Sequence, residues 1–98
     1  MFIHSVYFWL KPDITPSEKA LFVERAQALT RISTVKQGWL GKPADTDRPI
    51  IDRTYSYGLV LIFDDLPGHD FYQVDPIHDA FRELHSLWTA VKIYDFEE

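Results

Sequence analysis

The chain has no cysteine, which removes disulfide scaffolds, thiolate metal ligands and thiol nucleophiles together. A cysteine-free chain is compatible with a reducing compartment, and a cytoplasmic location is the expectation. Glycine is nearly as scarce. Gly38, Gly41, Gly58 and Gly68 are the only four, and none belongs to a phosphate-cradling loop, so no purine-nucleotide, dinucleotide or other cofactor is expected. The ten basic residues are outnumbered by fifteen acidic ones, for a net charge of −5. They are scattered from Lys11 to Lys92 without forming a stripe, which speaks against a nucleic-acid partner. The longest apolar runs, Val6–Leu10 and Leu59–Phe63, fall far short of the ~20 residues that a membrane helix needs. The first residues also lack the basic region, long apolar core and cleavage site of a secretory signal. Neither a membrane nor an export route is expected. No serine sits in a nucleophile-elbow setting, and there is no internal repeat or low-complexity stretch.

What the chain does have is rings. Fifteen of its 98 residues are Phe, Trp or Tyr. Each ring has ~150–250 Å² to bury. A chain of this length forms one domain, over residues 1–98, and hides only about two-thirds of its unfolded surface. Some of the rings should therefore line a pocket or an interface.

Met1–Leu10 reads as a strand that stops at Lys11-Pro12. Alternation places Phe2, His4, Val6, Phe8 and Leu10 on one face and Ile3, Ser5, Tyr7 and Trp9 on the other, so the strand should be covered on both sides. Thr15-Pro16-Ser17-Glu18 fits a capping box, with Pro16 opening a helix that runs to about Arg31. Ser33–Lys42 is a weaker strand in which Gly38 marks a bulge. Pro43–Arg53 is a long loop, and Thr54–Phe63 a third strand. A short helix covers Leu66–Val74. Asp75 then caps a second main helix opened by Pro76, whose apolar stripe is Ile77, Ala80, Phe81, Leu84, Leu87, Trp88 and Val91. Ala90–Glu97 is the closing strand.

This order, β-α-β-β-α-β, is the ferredoxin-like arrangement of the α+β class. Right-handed crossovers put both helices on one face of a four-stranded antiparallel sheet. The other face, carrying Tyr7 and Trp9, would then be bare. A homodimer that stacks sheet on sheet covers it, with an interface of roughly 2,000 Å² or more.

His4-Ser5-Val6-Tyr7-Phe8-Trp9-Leu10-Lys11 resembles the opening H-x-V-x-F-x-L-K of the stress-responsive dimeric A/B barrel (Dabb) proteins. Tyr57-Gly58-Leu59-Val60-Leu61-Ile62-Phe63 resembles their third strand. Tyr72-Gln73-Val74-Asp75-Pro76-Ile77-His78 is similar to their Y-x-x-H-P-x-H segment, with Asp75 replacing the first His. Tyr94-Asp95-Phe96 is similar to their closing strand. The four pieces span the chain in register, and they imply a dimeric α+β barrel. The loop at 48–55 is longer and more apolar than is usual in the family.

A plant member of that family is a polyketide cyclase. The resemblance implies that its strand-1 His, its Tyr and the second His of its H-P-x-H segment correspond to His4, Tyr72 and His78, lining an apolar cavity. Its closing-strand Asp falls on Asp95, which would support His78. A tyrosine of the cyclase's first helix falls on Ala26. Val6, Phe8, Phe22 and Trp88 are the apolar lining candidates.

Each candidate also has a plainer reading. His4 is a half-buried strand histidine that needs a hydrogen bond whether or not it does chemistry. His78 with Asp95 either forms a general base or pins helix to strand. Tyr72 either polarises a carbonyl or buries its ring, and Trp88 is either core or ligand platform. Asp64, Asp65, His69 and Asp70 cluster, but their spacing matches no defined metal site. Asp65 reads better as a helix cap, and no metal is expected. His85, seven residues beyond His78 on the same predicted helix, reads as a solvated flank residue. The leading expectation is a homodimeric module that binds a small apolar ligand or acts in stress protection. The alternatives are a cofactor-independent, polyketide-cyclase-like lyase and, from the wider superfamily, a cofactor-free monooxygenase or a haem-handling protein.

Overall fold

A computed structural model describes residues 1–98. Strand β1 (Phe2–Leu10) is the centre of the molecule, with β3 (Tyr57–Phe63) on one side and β4 (Trp88–Glu97) on the other. Strand β2 (Val35–Gly41) adds to the outer edge of β3. The sheet order is β2-β3-β1-β4, and every pairing is antiparallel. Helices α1 (Pro16–Leu29), α2 (Leu66–Gln73) and α3 (Pro76–Arg82) complete the ferredoxin-like fold.

The local signals act where expected. The Thr15 hydroxyl accepts from the Glu18 N–H at 3.1 Å, and the Glu18 carboxylate accepts from the Thr15 N–H at 2.8 Å, closing both halves of the capping box. Such a cap stabilises a helix by ~0.5–2 kcal/mol. Asp65 caps α2 by accepting from the Gly68 N–H, and Asp75 caps α3 by accepting from the Ile77 N–H. Thr30 ends α1 by donating its hydroxyl to the Gln27 carbonyl. Arg25 donates to the Ala80 carbonyl at 2.8 Å and so ties α1 to α3.

Two elements differ from the sequence reading. The helix opened by Pro76 ends at Arg82 rather than running through Trp88 and Val91. A single 3-10 turn, His85–Leu87, follows, and from Trp88 onward the chain is extended. The reason is pairing: Trp88 lies opposite Leu10 and Val91 opposite Phe8 in the β1–β4 ladder. The backbone groups of a lone strand would otherwise go unsatisfied, and the β-branched run Thr89, Val91 and Ile93 suits a pleated sheet. The irregularity in β2 also lies at Lys36, between the pairs Val35–Phe63 and Gln37–Ile62, and not at Gly38.

The register sorts the side chains. On the helix side, Leu61, His4 and Asp95 form one cross-strand row, and Leu59, Val6 and Ile93 form the next. Phe22, Leu29, Ile32, Leu59, Leu61, Phe63 and Tyr72 are fully buried there. On the other side, Trp39, Val60, Ser5 and Tyr94 form one row, and Gln37, Ile62, Ile3 and Phe96 another. On that second face Tyr55 packs on Tyr7 at 5.0 Å and Trp9 donates to the Thr54 hydroxyl at 3.0 Å, while the rows farther along are left bare. Trp39, Tyr94 and Phe96 are 55%, 58% and 55% exposed.

Candidate functional site

Between the sheet and helices α2 and α3 lies a cavity of about 220 Å³. Typical drug-sized sites are ~300–1,000 Å³, so this one suits a smaller molecule. Val6 and Phe8 of β1, Leu59 of β3 and Val91 and Ile93 of β4 make its apolar floor. Phe81 of α3 and Trp88 of β4 also line it, stacked on each other at 5.4 Å. One end is polar, where His4, Tyr72, Gln73, His78 and Arg82 meet.

His4 is buried, and its Nδ1 lies 2.5 Å from the Asp95 carboxylate beside it in the β1–β4 ladder. A carboxylate only accepts, so Nδ1 carries the proton and Nε2 keeps its lone pair. Burial lowers the His4 pKa from its ordinary value and outweighs the raising effect of Asp95. At neutral pH His4 is therefore a neutral imidazole with a supported acceptor nitrogen.

His78, in the first turn of α3, has the opposite arrangement. Its Nδ1 lies 3.2 Å from the Arg82 guanidinium one turn on. A guanidinium only donates, so Nδ1 is the acceptor and Nε2 carries the proton. Burial, and then the Arg82 charge, push the His78 pKa down to about 4. The ring meets Tyr72 edge-on at 4.8 Å. Tyr72, on α2, is fully buried, and burial raises its phenol pKa above the ordinary value, so it stays a protonated donor.

The predicted residues thus come together with one exchange of partners. His4, Tyr72 and His78 share the polar end of the cavity, but Asp95 supports His4, not His78. The cause is strand register, which sets Asp95 directly beside His4. Val6, Phe8 and Trp88 line the cavity. Phe22 does not. It is sealed behind the floor, with its ring against Phe8, Tyr57 and Phe81.

The aspartate-rich segment after β3 does not form a cluster. Asp65 is a cap, and Asp64 pairs with Lys36 at 3.2 Å. His69 leaves that segment altogether. It packs on Phe2 at 4.6 Å and on His4 at 4.8 Å, and its Nε2 lies 3.1 Å from the Gln73 amide. His85 sits exposed on the 3-10 turn instead of on a helix. Two cavity residues, Gln73 and Arg82, escaped the sequence reading, and His69 was weighed there only with the aspartates beside it. The signal was present: 69, 72 and 73 share one helix face, as do 78 and 82.

The match with known structures extends over the whole chain. A Dabb-family protein with a ferredoxin-like fold from Mesorhizobium loti has a TM-score of 0.77 at 24% identity, covering 99% of this chain and 95% of that one. A dimeric ferredoxin-like protein of unknown function from Thermobifida fusca has a TM-score of 0.77 at 20% identity, with coverage of 97% and 88%. The hydroxynitrile lyase of Passiflora edulis has a TM-score of 0.77 at 13% identity, with coverage of 97% and 90%. At these identities the likeness concerns the fold. No curated protein matches the sequence. The model of the stress responsive A/B barrel domain, Dabb, matches residues 2–98, and the chain belongs to that family.

Proposed function

We propose that this protein is a cytoplasmic homodimer of one domain per chain, paired through its uncovered sheet faces. Each chain binds a small, mostly apolar carbonyl compound in the cavity and moves a proton beside the carbonyl group. The observation that carries this reading is that two histidines at one end of an apolar pocket have opposite partners, a carboxylate for His4 and a guanidinium for His78. His4 Nε2 has a lone pair backed by Asp95, and His78 Nε2 has a proton fixed in place by Arg82. One suits a base, the other a donor.

In the proposed step, His4 takes a proton from the carbon next to the carbonyl, and Asp95 stabilises the imidazolium that forms. The C–H electron pair moves into an enolate, whose oxygen accepts hydrogen bonds from Tyr72 and His78. The enolate is then either reprotonated by His4 or attacks a second carbonyl of the same molecule, as in an aldol-type closure, and the alkoxide formed from that carbonyl takes the proton back from His4. No redox partner is consumed. A fold neighbour carries the name hydroxynitrile lyase, which is in keeping with lyase chemistry on this scaffold.

The test is deuterium uptake, followed by NMR, at the α-carbon of a small aliphatic β-diketone in heavy water. Wild-type protein should accelerate it, and His4→Asn and Asp95→Asn should each lower the rate by ~10²-fold or more. Equal rates in wild type and His4→Asn would remove the proton-transfer role and leave only a binding pocket.

A further inference from the structure

His69 takes no part in the proposed proton transfer, yet it is packed against the base. One ring nitrogen of His4, one of His69 and one carboxylate oxygen of Asp95 lie within 4.8 Å of one another. His69 has an unmet need as well. Its Nδ1 is buried without a hydrogen bond, and the neighbouring Asp70 carboxylate is 3.5 Å away. The Gln73 amide lies 3.1 Å from the other ring nitrogen. Turned to present its oxygen, it would accept the His69 Nε2–H and leave the Nδ1 lone pair for a metal.

We infer that His4, His69 and Asp95 form a binding site for a borderline divalent first-row cation of the zinc class. Two imidazoles and one carboxylate are the donor set of open three-ligand sites for such ions, whereas magnesium and calcium prefer all-oxygen shells. Ligand atoms on one such ion sit roughly 3 Å apart, given bonds of ~2.0–2.1 Å. Reaching that spacing asks for a shift of about 1–2 Å at most. Asp95, partly exposed on the edge strand β4, has room to take up part of it. Of the three, His4 also lines the cavity.

This site shares the His4–Asp95 pair on which the proposed function rests, and His69 is what it adds. A bound cation ties up the base, so metal and proton transfer exclude each other at one chain.

The experiment is a titration of the metal-free full-length protein with Co²⁺, followed by visible absorption, with Zn²⁺ and Mg²⁺ as competitors. The expected result is saturation at one Co²⁺ per chain, displacement by Zn²⁺ and none by Mg²⁺. His69→Leu, which keeps an apolar body against Phe2, should weaken Co²⁺ binding by ~100-fold or more. Asp95→Asn, on the exposed edge, should do the same and serves if His69→Leu does not fold. His85→Gln should leave binding unchanged. No saturable uptake, uptake that survives both His69→Leu and Asp95→Asn, or uptake lost with the exposed His85 would overturn the inference. Deuterium uptake by metal-free His69→Leu separates the two readings. If it matches wild type while Co²⁺ fails to bind wild type, only the metal site falls; if Co²⁺ binds but wild type exchanges no deuterium, only the proton-transfer reading falls.

Discussion

At the scale of single residues, the two cavity histidines are set apart by what holds them. Asp95 can only accept and Arg82 can only donate, so identical rings present opposite faces to the same space. The consequence for stability has a definite sign. Folding holds His78 neutral down to about pH 4, whereas in the unfolded chain it titrates at the ordinary 6.5. Between those values the unfolded chain binds more protons, so the contribution of His78 is complete above pH 6.5 and shrinks as pH falls towards 4. The lowered pKa of His4 works in the same direction. The groups facing His78 are Arg82 and Asp79 on its own helix, Tyr72 and His69 on α2, and His4 on β1. Thermal denaturation between pH 7 and 4 should show a shallower fall in Tm for His78→Gln than for wild type, and parallel curves would refute this. His4, Tyr72 and His78 were legible because each stands in a short recognisable segment. The pairing of Asp95 with His4 was not, because it depends on how two strands 91 positions apart come into register.

At the scale of elements, β2 and β3 meet the helices through a gap that only a small residue leaves open. A Cβ on Gly38 would lie 2.7 Å from Leu61 Cδ2 and 2.9 Å from Thr30 Cγ2. Its φ is not positive, so the requirement is room and not backbone freedom. Leu61 is fully buried and cannot swing away. Gly38→Ala should therefore destabilise the fold by ~1–3 kcal/mol, the usual cost of overpacking, measured as a drop in the urea midpoint. An unchanged midpoint would show that the helix layer yields. The elements legible in the sequence were those with local causes: the alternation of β1, the capping box at Thr15 and Glu18, and the caps at Asp65 and Asp75. The end of α3 was hidden because Leu84, Leu87, Trp88 and Val91 keep a helical spacing past Arg82. The choice between helix and strand there is made by β1, which is remote in sequence.

At the scale of the whole molecule, only 15 of 98 residues are buried in the single chain, too few for so aromatic a sequence to be complete alone. The rows bearing Trp39, Tyr94 and Phe96 are the face to which the proposed pairing assigns a second copy, and structural neighbours are described as dimeric. Sedimentation velocity should give twice the 11.5 kDa chain mass at micromolar concentration. Trp39→Lys combined with Tyr94→Lys should shift it to the single-chain mass, since opposed lysines in an apolar interface repel and lose hydration. A wild-type chain that sediments alone would rule out pairing through this face.

Strand β4 is shared between two neighbours that never meet. Val91 and Ile93 line the cavity and Asp95 shares their face beside His4, while Tyr94 and Phe96, interleaved with them, look the opposite way. Loss of one residue near Ala90 would invert that assignment along the rest of the ribbon, sending the carboxylate out and a phenol in. Loss of two would leave every orientation intact. Only a length change in even steps keeps each side chain of this strand on its own face.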